Sequence, residues 1–290
     1  MKIQLFVISS LLAVAGAMNA QVQIPTNLDH FNCYLAPGPI QPATALLHDQ
    51  FDIAPPSSTF LPGFFETVTD LRSVLFCNPV QKTLASGATT QILHADAHLL
   101  MYLINPQAST PRKVTVVNQF GTTTLQTGRA LILAVPSGKA LFTPAGAAPS
   151  LPAIPAAQEL DHFKCYEAAG ETATVPVTLT DQFRTEQVQV LRPILFCNPT
   201  LKEVLNGDNA IASVPTVTPI TYPLSHLTCY LTTPVPFQGI VVYNNQFVIP
   251  GTFPTLTLSQ SEILCVPSAK SSWSVIPPPA QISSGPPAGN

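Results

Sequence analysis

Charge is what this sequence has least of. Only 27 of its 290 residues are charged, 12 Lys+Arg against 15 Asp+Glu, where soluble proteins carry about 25%. The net charge is -3 and the basic residues are scattered, which excludes the electrostatic footprint of a nucleic-acid or acidic-lipid binder. Beyond the N-terminus no stretch approaches about 18 uninterrupted apolar residues, so no membrane span is expected in the mature chain. Gly-x-Ser-x-Gly, His-Glu-x-x-His and a Walker loop are missing. So are Cys-x-x-Cys pairs, which would suit zinc, and any Asn-x-Ser/Thr glycosylation sequon. Disorder throughout is excluded too: 46% of the residues are hydrophobic, and Pro plus Gly stay below the roughly 25–30% of low-complexity chains.

What is present begins with an address. Met1 to Ala20 carries Lys2, an apolar run over Ile3 to Ala15, and small residues at Ala15, Gly16, Ala17 and Ala20. This is the layout of a secretory signal peptide, with cleavage expected after Ala17 or Ala20 and a secreted or periplasmic product.

The remainder repeats. His30-Phe31-Asn32-Cys33-Tyr34 returns as His162-Phe163-Lys164-Cys165-Tyr166, as His226-Leu227-Thr228-Cys229-Tyr230, and altered as His98-Leu99-Leu100-Met101-Tyr102. A second block follows each: Asp49-Gln50-Phe51, Asn118-Gln119-Phe120, Asp181-Gln182-Phe183 and Asn245-Gln246-Phe247. The third is Leu75-Phe76-Cys77-Asn78-Pro79, Ile132-Leu133-Ala134-Val135-Pro136, Leu195-Phe196-Cys197-Asn198-Pro199 and Ile263-Leu264-Cys265-Val266-Pro267. Lys82, Lys139, Lys202 and Lys270 each lie five residues after the Cys position. The chain therefore divides into four quarters. Quarters one and three share Leu-Asp-His and Cys-Asn-Pro, while two and four share His-Leu, Val-Pro-Ser and an Asn in the middle block. This A-B-A-B order suggests an A-B pair as the domain.

The repeats also select among cysteine pairings. Quarter two has lost both of its cysteine positions together, to Met101 and Ala134, while the other quarters keep both. Joint loss is expected if the two positions are bonded to each other, because a stranded thiol is a hazard in an oxidising compartment. The predicted disulfides are Cys33 to Cys77, Cys165 to Cys197 and Cys229 to Cys265. Each closes a loop worth about 3.5–4 kcal/mol on a contested entropic model.

Alternation points to strands. Val177, Leu179, Asp181 and Phe183 share one parity, as do Val114, Val116, Asn118 and Phe120. In the first block Phe163 and Cys165 face one way, toward the core, and His162, Lys164 and Tyr166 the other. Outside the signal peptide no helical apolar period stands out. The expected fold is all-β, with two tandem antiparallel sandwich or barrel domains, each a pseudo-twofold pair of disulfide-stapled quarters. Their boundaries are 1–20 for the signal peptide, 21–142 for the first domain, 143–157 for a Pro/Ala linker, 158–275 for the second domain and 276–290 for a Pro-rich tail. Quarter one carries an insertion between Phe51 and Cys77.

The Leu-Asp-His-Phe-Lys-Cys-Tyr, Asp-Gln-Phe and Cys-Asn-Pro blocks resemble those of an uncharacterised family of repeat domains in exported bacterial proteins. The resemblance covers about Leu28 to Lys270. It implies a bacterial, extracytoplasmic source and assigns no activity and no functional residue.

Function follows mainly by weighing what is repeated. Four of the six His, four of the six Tyr and four of the seven Lys sit at repeat positions, where folding explains them better than chemistry. Asp49 and Asp181 alternate with Asn118 and Asn245, which keep hydrogen bonding and lose acid function, so a turn or strand-end role is expected. Outside the repeat, His48 lies beside Asp49, and His94-x-Asp96-x-His98 offers a weak metal-like spacing. No catalytic, cofactor or metal residue is assigned. The expectation is a non-enzymatic exported surface, matrix or binding module, with an unknown extracytoplasmic ligand or surface as its partner. The alternatives are an exported hydrolase or metal-dependent enzyme using non-repeat residues, or a periplasmic small-ligand binder.

Overall fold

The structure is a computed structural model that describes residues 22–52, 66–107, 109–142, 151–205, 216–249 and 252–277. The expected signal peptide, most of the quarter-one insertion, the first half of the linker and nearly all of the tail lie outside the described residues.

The described residues form fifteen strands. Quarter one supplies β1 (His30–Leu35), β2 (Ile40–Gln41), β3 (Thr44–Asp49), β4 (Glu66–Val68) and β5 (Leu71–Leu84), followed by β6 (Thr89–Thr90). Quarter two supplies β7 (His98–Gln107), β8 (Arg112–Asn118) and β9 (Gly121–Leu141). Quarter three supplies β10 (Phe163–Ala169), β11 (Val175–Thr180) and β12 (Thr185–Leu205), followed by β13 (Thr216–Thr218). Quarter four supplies β14 (His226–Asn244) and β15 (Thr255–Val275). The all-β expectation holds, and among the described residues no helix is long and apolar enough to cross a membrane.

The first and third blocks of each quarter form an antiparallel pair, and these pairs join into a closed ring. β1 pairs β5 with Cys33 opposite Cys77, and β5 pairs β7 with Cys77 opposite Leu99. β7 pairs β9 with Met101 opposite Ala134, and β9 pairs β10 with Ala134 opposite Phe163. β10 pairs β12 with Cys165 opposite Cys197, and β12 pairs β14 with Cys197 opposite Leu227. β14 pairs β15 with Cys229 opposite Cys265, and β15 returns to β1 with Cys265 opposite Phe31. The ring has eight strands and no edge, which is how a sheet of this size avoids open hydrogen-bonding groups.

One face of the ring closes on itself. Phe31, Cys33, Leu75, Cys77, Leu99, Met101, Phe163, Cys165, Leu195, Cys197, Leu227, Cys229, Ile263 and Cys265 belong to one buried cluster, as expected of an eight-stranded barrel whose interior is just wide enough to be filled by side chains. The disulfides are Cys33–Cys77, Cys165–Cys197 and Cys229–Cys265, all within quarters. Neighbouring bonds touch, with Cys33 Sγ 3.9 Å from Cys265 Sγ.

The opposite face is buried as well, which one-sided alternation did not lead us to expect. His30 to Tyr34 are five consecutive buried residues. Their cover comes from hairpin arms formed by the second blocks. Within the arms, burial alternates residue by residue, as in β8 from Arg112 to Asn118. The arm of quarter three lays Val188 and Val190 in one cluster with Tyr230, Leu264 and Val266 of quarter four. Its strand β11 then pairs with β5 of quarter one, Leu179 opposite Lys82. Equivalent pairings carry the other three arms two quarters onward: Leu47 opposite Lys202, Val116 opposite Lys270 and Tyr243 opposite Lys139. The arm of β8 and β9 turns at Gly121, whose φ of 109° is a left-handed conformation that a side chain would strain.

The two tandem domains expected from the A-B-A-B order are therefore not what the pairing displays. Ring contacts β9–β10 and β15–β1, and all four arm pairings, run between the halves of the chain. The described end of the linker is docked rather than free. Asn244 Nδ2 donates to the Pro152 carbonyl at 2.8 Å, and a Cβ at Gly138 would lie 1.9 Å from the Ala153 carbonyl oxygen.

Candidate functional site

Each arm ends in the Asx-Gln-Phe block, and the four ends are built alike. The Asx side chain accepts from the backbone N–H two residues on: Phe51 to Asp49 at 2.7 Å, Phe120 to Asn118 at 2.9 Å, Phe183 to Asp181 at 2.8 Å and Phe247 to Asn245 at 3.0 Å. This is the Asx turn, for which Asp and Asn serve equally. The remaining Asx atoms reach the first-block tyrosine of the opposite quarter. Tyr166 Oη donates to Asp49 at 2.9 Å and Tyr34 Oη to Asp181 at 2.8 Å. Asn118 Nδ2 donates to Tyr230 at 3.0 Å and Asn245 Nδ2 to Tyr102 at 2.9 Å. A third partner comes from the third block, Asn198 or Asn78 for the aspartates and Ser268 or Ser137 for the asparagines.

The repeated cations complete these joints. Lys82 lies 4.8 Å from the centre of the Phe120 ring, Lys139 4.2 Å from Phe183, Lys202 4.7 Å from Phe247 and Lys270 4.7 Å from Phe51. Each lysine thus sits on the phenyl ring of the next quarter's arm. Lys82 and Lys202 also donate to Gln119 and Gln246, whereas Lys139 and Lys270 donate to Asn78 and Asn198. Burial lowers all four amines, to about 8 for Lys82, Lys139 and Lys270 and about 7 for Lys202.

Each repeated histidine is buried near the lysine of its own quarter. Burial first, then that lysine's charge, pushes His30 down to about 3 and holds His98, His162 and His226 well below the usual range. They are neutral, and two of them pack on rings: His98 lies tilted against Phe76 and His226 against Phe196, each with centroids 5.6 Å apart.

The non-repeat residues singled out in the sequence do not assemble. His94 lies 3.4 Å from Asp29, while His98 packs on Phe76. Among the described residues no group of His, Cys, Asp and Glu is arranged to hold a metal. Asp29 accepts the backbone N–H groups of Leu93 and His94 at 2.6 and 2.9 Å, and Asp161 does the same for Thr221 and Tyr222 at 2.8 and 2.7 Å. The Asp of Leu-Asp-His is thus the clamp between A and B quarters. His48 is in β3, where its carbonyl accepts from Thr200 Oγ1 at 3.0 Å.

One cluster gives no signal in the sequence. Leu47 pairs with Glu66 just as Leu179 pairs with Glu186, so the two glutamates are structural equivalents hidden by the insertion. At the first position Lys164, buried on β10, is held by Asp52 at 3.0 Å and by Glu66. Burial raises Asp49 and Glu66, while for Lys164 burial is outweighed by Asp49, Asp52 and Glu66, which hold it above its ordinary value. At the opposite position Asn32 replaces Lys164 and Arg184 replaces Asp52, with Asn32 donating to Glu186 at 2.9 Å and Arg184 also pairing with it. In the B quarters the position of Lys164 is held by Leu100 and Thr228, which carry no charge.

A shallow groove of about 410 Å³ runs between the end of β5 and the β11–β12 hairpin, lined by Thr83, Pro176, Thr178, Gln187, Gln189 and Thr233 among others. Its polar groups are hydroxyls and amides. Comparison of the chain with protein-family models, with curated proteins and with solved structures finds no match.

Proposed function

We propose that the protein works outside the cytoplasm as a non-enzymatic surface or matrix module that recognises its partner by hydrogen bonding rather than by charge. One observation carries this reading: the side chains that would serve chemistry are spent on joining the quarters. Eight charged residues, Asp29, Asp49, Lys82, Arg112, Asp161, Lys164, Glu186 and Lys202, are buried in a chain that has only 27. The polar groups of the groove beside β11 are hydroxyls and amides set among Leu84, Val177 and Val188. Three disulfides support an oxidising compartment.

The test is cosedimentation of the purified mature protein with envelope sacculi and with extracellular polysaccharide from the source culture. We expect saturable retention that is unchanged between low and high salt, because no exposed ion pairs are needed. The polymer should keep its length. Release of soluble fragments would replace this reading with the hydrolase one, and retention abolished by salt would overturn the uncharged mode of recognition.

A further inference from the structure

The cluster at Lys164 differs in kind from the three equivalent joints. Lys164 brings an amine with 1% of its side chain exposed against a carboxyl group, Asp52, whose two oxygens both lie 3.0 Å from Nζ. Asp52 Oδ2 also accepts the backbone N–H of Asp49 at 2.8 Å, a donor placed to stabilise negative charge on that oxygen. Glu66 touches Nζ through Oε2, and its buried Oε1 has no hydrogen-bond partner among the described residues. Asp49 is fully engaged as an acceptor by Phe51, Tyr166 and Asn198. Three carboxyl groups surround one ammonium, so the cluster favours keeping a proton on one of them, and Glu66 has the oxygen free to carry it.

We propose that Lys164 and Asp52 become joined by an intramolecular isopeptide bond in the folded chain, with Glu66 as the proton shuttle. Proton transfer within the low-dielectric cluster leaves a neutral amine and a neutral Asp52 carboxyl group. Nζ attacks Cγ of Asp52, and the developing oxyanion is held by the Asp49 N–H. Protonated Glu66 gives its proton to the departing hydroxyl, which leaves as water, and takes up the proton lost by Nζ, so that it ends as it began. One N–C bond forms, one C–O bond breaks, one water is released, and no oxidant or reductant takes part. Asp52 keeps 19% of its side chain exposed, which gives the water an exit. The bond would tie β10 of quarter three to the arm of quarter one. The opposite joint, with Asn32 and Arg184 in these places, lacks both the amine and the carboxyl group.

The test is peptide mapping of the full-length mature protein by mass spectrometry, with intact mass alongside. The expected result is a mass one water below that of the chain with three disulfides, a linked peptide containing Lys164 and Asp52, and loss of tryptic cleavage after Lys164. Glu66→Gln should fold, as judged by circular dichroism, and carry the full mass. Asp52→Asn, if it links, gives the same product as the unaltered chain, with ammonia leaving in place of water. Free Lys164, cleaved by trypsin in the folded unaltered protein, overturns the proposal and leaves a buried ion cluster in its place.

Discussion

A lysine buried over a phenyl ring is held at the expense of its proton. The four repeat lysines lie near 7 to 8 in the folded chain against 10.5 when exposed. Between these values the unfolded chain binds more protons than the folded one, so stability rises with pH through that window. The tyrosines act in the opposite sense at higher pH. Tyr34, Tyr102, Tyr166, Tyr230 and Tyr243 are raised, chiefly by burial, so stability present below pH 10 is lost once the unfolded phenols ionise. The thermal midpoint, followed by circular dichroism, should climb from pH 7 to about 10 and fall beyond it. A flat profile from 7 to 10 would mean that the four amines stay solvated.

At the scale of the element, the blocks are legible because a hairpin with a fixed partner constrains both spacing and residue type. The within-quarter cysteine pairs follow from the joint change at Met101 and Ala134, which are register partners in β7 and β9. The A-B-A-B alternation has a physical reason. Quarters one and three share Asp with Asn78 or Asn198, and two and four share Asn with Ser137 or Ser268, because opposite quarters exchange arms and must match at the joint. Likeness marks contact partners rather than copies of a separable domain. Glu66 is illegible because the insertion breaks the spacing that would align it with Glu186. The empty cysteine position supplies a direct test: Met101→Cys with Ala134→Cys should form a fourth disulfide. Closing that loop adds up to about 3.5 kcal/mol, less about 1 kcal/mol for the apolar packing of the methionine that is removed. Thiol titration and denaturant unfolding read both effects. If both thiols stay free under oxidising conditions, the register between β7 and β9 is not that of the other hairpins.

The whole molecule is a ring in which every quarter depends on the one opposite, and this decides what a half can do. A fragment of residues 22–142 keeps β1, β5, β7 and β9, but Tyr34 loses Asp181, Tyr102 loses Asn245, and the ring is open at β1 and β9. Neither half should unfold cooperatively as a monomer. Opposite quarters accept one another's arms, so two copies of one half can rebuild the ring with a twofold axis. The halves differ in whether the charges allow it. In a dimer of residues 158–277, Lys164 would meet Asp181, Arg184 and Glu186, two cations against two anions. In a dimer of residues 22–142, Asn32 would stand where Lys164 now meets Asp52 and Glu66, and removing that ammonium from three clustered carboxyl groups is costly. Light scattering after size-exclusion chromatography should therefore find the second half dimeric and folded and the first half unfolded or aggregated near pH 7, with a 1:1 complex when the two are mixed. A monomeric, cooperatively folded second half would show that its arms close within one chain and that the crossed pairing between opposite quarters is not required for folding.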